Sequence, residues 1–380
     1  MSEAGFPAHG KVLFSATLVR GYIAKFHIPY LKWFKEQGWE TWVAAKNDYP
    51  DGVCEIPYCD HFVNIDFARS PFSKQTLVAY RQLKNLFSRE HFDLVHTHTP
   101  VGGVLTRLAA REARSVGTKV VYTAHGFHFY DGAPLVNWLL WYPVERMMTH
   151  FTDVLITIND EDYKRATKFA KCRVEYVPGV GIDLDRFGMS DDREGMRRNL
   201  GILATDHMIL AVGDLIKRKN HQCIIRALSE LDDSFKLFIC GTGVEQEALT
   251  VLVSELSLEN RVTFLGFRKD IPALMHASDM LVFPSIHEGL PVTVMEAMAA
   301  GLPVIASNIR GIVPDLLKNG VSGLVLENED PGTVAKAIRG IAADSSKAQL
   351  LAARAQVSAE CFAIDQIVSN VSSIYTEAIS

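Results

Sequence analysis

Short apolar runs alternate along this chain with longer stretches in which apolar residues recur every three or four positions. That alternation predicts parallel strands joined by crossover helices, an α/β class. In the first half the runs predict strands at Lys11–Ala16, Thr41–Ala45, Phe62–Ile65, Leu94–Thr97, Val120–Ala124 and Val154–Ile158. Helices are expected at Phe26–Gln37, Lys74–Phe87 and Val104–Ala113. The second half repeats the theme, with strands at Met208–Val212, Leu237–Cys240, Val262–Leu265, Met280–Phe283 and Val304–Ala306. Its helices are expected at His221–Leu231, Glu245–Glu255, Ile271–His276, Val292–Ala300 and Pro331–Ala343. Two doubly wound domains in succession follow, and 380 residues suit two cores better than one. Proline, glycine and aspartate in Val177–Phe187 suit a turn between them. The expected domains are 1–183 and 184–362, and a last helix, about 363–380, can pack back on the first.

Composition narrows the reading. Hydrophobic residues at 48% and charged residues at 22% mark a globular chain. A net charge of −5 leaves no electrostatic footprint for nucleic acid. Residues 1–183 carry a net +2 and the rest −7, so the first domain is the better candidate to meet an anionic membrane or a phosphorylated acceptor. Six cysteines without a CxxC pair point to a reducing compartment, with Cys223 and Cys240 as buried thiols. Met1–Gly10 lacks the basic and apolar regions of a signal peptide. The most apolar stretch, Pro134–Met148, is interrupted by Asn137, Pro143, Glu145 and Arg146, which excludes a spanning helix there. A cytoplasmic protein whose membrane contact is peripheral is expected.

Open parallel sheets bind ligands beyond the carboxyl ends of their strands, which singles out two loops of the second half. Gly213-Asp214-Leu215-Ile216-Lys217-Arg218-Lys219-Asn220-His221 follows a strand and opens a helix. Three cations there oppose the helix dipole unless an anion joins them. A diphosphate resolves that conflict; a solvated basic turn is the plainer alternative. His287-Glu288-Gly289-Leu290-Pro291-Val292 then turns tightly into a second helix. The amides of Leu290, Val292 and Thr293 would face the ligand, and Glu288 and Glu296 suit the hydroxyls of a sugar and a ribose. A dipole-compensating and a buried, paired glutamate are the plain readings of those two.

The ordered set HEGLPVTVMEAMAAGLPVIAS, GDLIKRKN, FLGF and VPGVGID resembles glycosyltransferase family 4, the retaining enzymes of the GT-B fold. FHIPYLKWFKEQGW, DLVHTHTP, TAHGFHFY and TINDEDY resemble its EpsD/CapM-type branch, which builds capsular and exopolysaccharides. The resemblance spans essentially the whole chain and implies two Rossmann-like domains facing a cleft. It implies that Lys219 and Arg218 contact a donor diphosphate, although many members carry Arg where this chain has Asp214. Glu296 would hold the ribose, the Phe267 backbone the base, and Glu288 with Gly289, Leu290, Pro291 and Val292 the sugar and diphosphate. Gly241 and Thr242 would belong to the donor loop. From the first domain, the loop Thr17–Gly21 would close over the phosphates and His125 would reach the reaction centre. The implied reaction moves a hexose or N-acetylhexosamine from a nucleotide sugar, UDP-linked, to a polyprenyl-diphosphate-linked glycan. It needs no cofactor and no metal.

Other features compete for function. Asp183-Leu184-Asp185 spells a metal-binding D-x-D but lies in a turn, where aspartate is ordinary. His96 and His98, with His125 and His128 nearby, could form a metal cluster; structural or acceptor-site roles are the better reading, with His98 the acceptor candidate. Arg107, Arg111, Arg114 and Lys119, with Tyr80, Arg81, Lys84 and Phe87, form either a membrane-facing stripe or a solvated face. Trp138 and Trp141 either join the core or line an apolar acceptor groove. Gly241-Thr242-Gly243 lacks the third glycine of a dinucleotide fingerprint, which weighs against a nicotinamide enzyme. An epimerase of the same shape and a non-catalytic sugar-nucleotide binder remain as alternatives to transfer.

Overall fold

The computed structural model describes residues 6–7, 9–68, 70, 73–188 and 192–380, so most of the Met1–Gly10 segment lies outside the described residues. The chain divides into two compact units, residues 1–181 with 364–380, and residues 182–363. Each is built on one parallel sheet.

The first unit holds β1 (Lys11–Leu18), β2 (Glu40–Lys46), β3 (His61–Asn64), β4 (Leu94–His98), β5 (Lys119–Ala124), β6 (Val154–Thr157) and β7 (Arg173–Tyr176), in the order β3-β2-β1-β4-β5-β6-β7. Strand β1 shows why its sequence reads as an unbroken apolar run. Val12, Phe14 and Ala16 pack on one side with Leu31 and Phe34 of the helix Ile28–Glu36 and with Ile367, Val371 and Tyr375 of the terminal helix Ile364–Ile379. Leu13 points to the opposite core, among Leu83, Leu86 and Leu105. A strand covered on both faces has no polar side to display.

The second unit holds β8 (His207–Val212), β9 (Phe235–Cys240), β10 (Val262–Gly266), β11 (Met280–Phe283), β12 (Val304–Ser307) and β13 (Leu324–Leu326), in the order β10-β9-β8-β11-β12-β13. In both sheets the winding direction reverses beside the first strand, between β1 and β4 and between β8 and β11. Crevices at such reversals are where doubly wound sheets take their ligands.

Four local expectations change. Strands β7 and β13 escape the pattern because they are short edge strands with half-exposed residues, which leaves them little apolar signal. The expected helix Val104–Ala113 is two pieces, Pro100–Ala109 and Arg111–Ser115, the first opening on a proline at its N-terminal position. The expected helix Phe26–Gln37 likewise splits at His27 into Ala24–Phe26 and Ile28–Glu36, with Pro29 in the first turn of the second piece. The expected loop Thr17–Gly21 is not a free loop. β1 runs on to Leu18, and Gly21 lies inside a π-helical turn, Val19–Ile23, closed by the Ala24 amide on the Val19 carbonyl. The amide of Arg20 is also tied to Asp48 Oδ1 at 2.6 Å.

Candidate functional site

In the second unit, the chain leaving β8 meets the chain leaving β9 at backbone distance. Gly241 stands at φ +149°, and a Cβ there would overlap the Gly213 carbonyl oxygen. The Leu215 amide donates to the Thr242 carbonyl at 3.0 Å, which locks the two loops together. The basic run then forms a tight 3₁₀ turn, Lys217–Lys219, followed by Asn220 in the left-handed region and the helix His221–Leu228. Asp214 and Thr242 are exposed, and Phe267, after Gly266, is 70% exposed.

Two of the three cations turn back onto Glu288. Its Oε1 receives Lys219 Nζ at 2.7 Å, Arg218 Nη1 at 2.6 Å and Ser285 Oγ at 2.7 Å. None of these bonds uses Oε2. Burial works to raise the Glu288 pKa, but Lys219 and Arg218 overcome it and hold the carboxyl below its ordinary value. Lys219 is shifted down from its own usual value by burial, against the pull of Glu288. Its Nζ also sits 4.7 Å from the Phe283 ring centroid.

The turn that carries Glu288 is clamped from behind by Arg310, which is buried. Its Nε donates to the Glu288 carbonyl at 3.1 Å and its Nη2 lies 2.9 Å from His287 Nε2. Gly311 adds a close approach: a Cβ there would overlap the Gly289 carbonyl. Past Leu290 and Pro291 the helix Val292–Ala299 begins with no side-chain cap. Helix geometry leaves the Val292 and Thr293 amides without intrahelical acceptors, at the positive end of the dipole. Such an end takes phosphate readily. The carboxyl of Glu296, on the second turn, makes no hydrogen bond or ion pair among the described residues. Burial raises its pKa to about 7, with Arg186 opposing.

The first unit gathers histidines at its own reversal. His98 ends β4, His125 follows β5, and His27 separates the two helical pieces after β1. His98 Nδ1 lies 3.2 Å from His125 Nε2, and the His98 ring stacks on His27 with centroids 3.8 Å apart. His96 is fixed by Tyr375 Oη at 2.5 Å and Thr123 Oγ1 at 2.8 Å. Burial is the leading reason that His96 is lowered to about 3 and His125 to about 4, with His27 and His98 also well below normal. All four imidazoles are therefore neutral at pH 7. His98 Nε2 and both ring nitrogens of His27 are buried without a partner among the described residues.

Several sequence expectations meet a different environment. His27 joins the histidine cluster, whereas the His128 ring lies over Trp141 with centroids 4.8 Å apart. Asp183 Oδ1 accepts the Arg186 amide at 3.1 Å, the ordinary turn role. The basic stripe is not one continuous surface, although Arg81 and Arg111 are exposed. Arg107 is fully buried and bonded to Glu145 at 3.0 Å, Arg114 holds Asp153, and Lys84 pairs with Glu112. Trp138 and Trp141 are half-buried; Trp138 lies beside Phe129 and under the Arg165 guanidinium at 4.7 Å. Sequence reasoning passed over His27, Ser285 and Arg310. His27 lay in a stretch read as a helix and as part of a family resemblance, with no role given to its imidazole, and Arg310 sits in a loop distant in sequence from the residues it holds.

Comparison with known proteins now bears on this geometry. Residues 192–357 match the family model described as Glycosyl transferases group 1, and residues 11–159 match Glycosyl transferase 4-like. The chain is 39% identical over 373 residues, 96% of each chain, to the Bacillus subtilis "Putative glycosyltransferase EpsD". It is 31% identical over 259 residues, 65% of this chain and 66% of the other, to the Escherichia coli UDP-Gal:alpha-D-GlcNAc-diphosphoundecaprenol alpha-1,3-galactosyltransferase. The structure of Anabaena Alr3699/HepE in complex with UDP and glucose superposes with a TM-score of 0.80, over 97% of this chain and 100% of that one, at 23% identity.

Proposed function

Because the chain belongs to the family 4 glycosyltransferases of the GT-B fold, we propose that it moves a hexose or N-acetylhexosamine from a UDP-sugar to a polyprenyl-diphosphate-linked glycan. The work would belong to cell-surface polysaccharide assembly, at the inner face of the membrane. Among the described residues no helix is long and apolar enough to cross a bilayer, and a peripheral contact through the first unit suits that fact. The observation that carries the reading is Glu288, with one carboxylate oxygen held by Arg218, Lys219 and Ser285 beside an uncapped helix N-terminus.

In this reading the diphosphate lies on the Val292 and Thr293 amides and shares Arg218 and Lys219 with Glu288. Glu288 Oε2 accepts a sugar hydroxyl, Glu296 accepts the ribose hydroxyls, and the Phe267 backbone meets the base. The bond from the anomeric carbon to the diphosphate breaks while the acceptor oxygen bonds on the same face. The acceptor's proton passes to the leaving diphosphate, so configuration is retained without a protein nucleophile. Protein charge stabilises the departing group, and neutral His125 holds a sugar hydroxyl in place. No metal is required, because cations and helix amides balance the diphosphate.

The test incubates the protein with UDP- and GDP-sugars, with and without polyprenyl-diphosphate-linked glycan. Transfer from a UDP-sugar that depends on the lipid acceptor is expected. Conversion of the sugar nucleotide without acceptor would replace the proposal with an epimerase, and binding without turnover would leave a non-catalytic binder.

A further inference from the structure

Where the first sheet reverses, a single residue, Thr99, links the end of β4 to the helix Pro100–Ala109. The first turn of that helix is left open. Pro100 has no amide hydrogen, the Gly103 amide donates to the Thr99 carbonyl at 2.7 Å, and no side chain caps the turn. The Val101 and Gly102 amides therefore have no intrahelical acceptor, at the positive end of the dipole.

A threonine in this place ordinarily caps the turn with its own hydroxyl, from an extended backbone. Thr99 instead stands at φ 65°, ψ 145°, a conformation that a β-branched residue enters only at a cost. It is 5% exposed, and its Oγ1 is buried without a partner among the described residues. Neighbouring hydroxyls are satisfied: Ser15 Oγ meets Thr106 Oγ1 at 2.8 Å, and Thr97 Oγ1 donates to the Ser15 carbonyl at 3.3 Å. The Thr99 oxygen lies over the open turn, since a Cβ on Gly102 would stand 2.7 Å from it. Pro100 and Val101 are partly exposed, so the tip of the turn is reachable from solvent. Two amides and a hydroxyl are thus gathered as donors with no acceptor, an arrangement that suits an oxygen-rich anion.

We propose that this turn seats a phosphate of the acceptor's diphosphate, with the Val101 and Gly102 amides and the Thr99 hydroxyl donating to its oxygens. The donor's diphosphate is already given helix amides and two cations in the second unit. The acceptor brings a diphosphate of its own, and the open turn of the first unit matches it. His98 Nδ1, 3.2 Å from His125 Nε2, belongs to the residue just before Thr99, so the seat adjoins the group proposed to hold the transferred sugar. The inference rests on the reading that the acceptor is a lipid-linked diphosphate.

The test titrates farnesyl diphosphate into the full chain by calorimetry, with UDP in excess. Saturable binding is expected, and farnesol should not compete for it. Thr99→Val should weaken that binding about tenfold, the loss of one hydrogen bond to a charged group, and Thr99→Ser should retain it. Thr99→Gly removes the backbone strain together with the hydroxyl, so its melting temperature should rise while farnesyl diphosphate affinity falls. A merely structural threonine would not separate those two readouts. UDP affinity should hold in all three variants. Unchanged farnesyl diphosphate binding by Thr99→Val and Thr99→Gly would overturn the seat. A loss of UDP affinity in its place would hand the turn to the donor and overturn the assignment to the acceptor. Thr99-dependent binding by a chain that transfers no sugar would keep the seat and sink the enzymatic reading. Transfer to the lipid acceptor with an unaltered acceptor KM in Thr99→Gly would do the reverse.

Discussion

Glu296 is a carboxyl held at a cost to the fold. Its folded pKa of about 7 lies above the unfolded value near 4.5, so the native state binds more protons between those values. Stability conferred by the protonated form is therefore present below about pH 4.5 and lost as pH rises through 7. Glu296→Gln should raise the melting temperature of the free protein at pH 8 and weaken UDP binding by about tenfold or more, the loss of one charged acceptor. Calorimetry and melting on one preparation check both. A variant that binds UDP normally would place Glu296 outside the site. The histidines pose a second question at this scale, since His98 holds the very nitrogen of His125 that faces it. His125→Ala should leave UDP affinity unchanged and lower transfer about a hundredfold, the scale of one preorganised contact. His98→Ala should lower kcat while KM for the donor holds, and should move the acid limb of the pH profile, because His125 loses the partner that fixes its tautomer. A kcat loss that merely follows melting temperature would make His98 structural.

At the scale of elements, the turn before the helix Val292–Ala299 owes its shape to a residue outside it. Arg310 fixes both His287 and the Glu288 carbonyl, so Arg310→Ala should loosen the turn that carries Glu288 and lower donor affinity about tenfold. Arg310→Lys should rescue little, since one ammonium cannot serve both acceptors as the guanidinium fork does. Isothermal titration with UDP decides. This part of the molecule also shows what was readable from the chain. Strand ends and the loops after them were legible because buried parallel strands are apolar runs and their turns need glycine or proline. Lys219 and Glu288 sat in such loops, and Glu296 in the helix that follows one, so all three could be named. What they bond to was not legible: Ser285 was unremarked, Arg310 is remote in sequence, and the engagement of Arg218 and Lys219 with Glu288 needs coordinates. Trp138 and Arg107 stayed ambiguous in the sequence for a related reason. A half-buried ring and a buried ion pair leave the same sequence trace as a groove or a basic surface.

For the whole molecule, the two sheets respond to pH in opposite senses. His27, His96, His98 and His125 have folded pKa values below the unfolded 6.5, so their neutral forms favour the fold above that value, and stability falls as pH drops through it. Between pH 7 and 5 the first unit should weaken while protonation of Glu296 strengthens the second. Melting followed by calorimetry should separate into two transitions on acidification, and only the one that tryptophan fluorescence does not report should shift with added UDP, since all five tryptophans lie in the first unit. One transition that moves as a whole would mean that the units unfold together. The proposed charge balance adds a check at the same scale. Transfer should survive EDTA, and a loss restored by Mg²⁺ or Mn²⁺ would return Asp183 and Asp185 to consideration.

The terminal helix Ile364–Ile379 belongs to the first unit although the entire second unit precedes it in the chain. A ribosome therefore delivers residues 1–181 early and must still make residues 182–363 before Tyr375 exists to seat against His96. Until release, one apolar face of β1 is covered by the helix Ile28–Glu36 but not by the terminal helix, and the histidine cluster has one wall missing. The second unit meets no such delay, being continuous in sequence. Synthesis thus presents the unit proposed to bind the nucleotide as complete before the histidine-bearing one, and truncation at residue 363 should yield a chain that still binds UDP yet is retained by chaperones and cleaved within its first 181 residues.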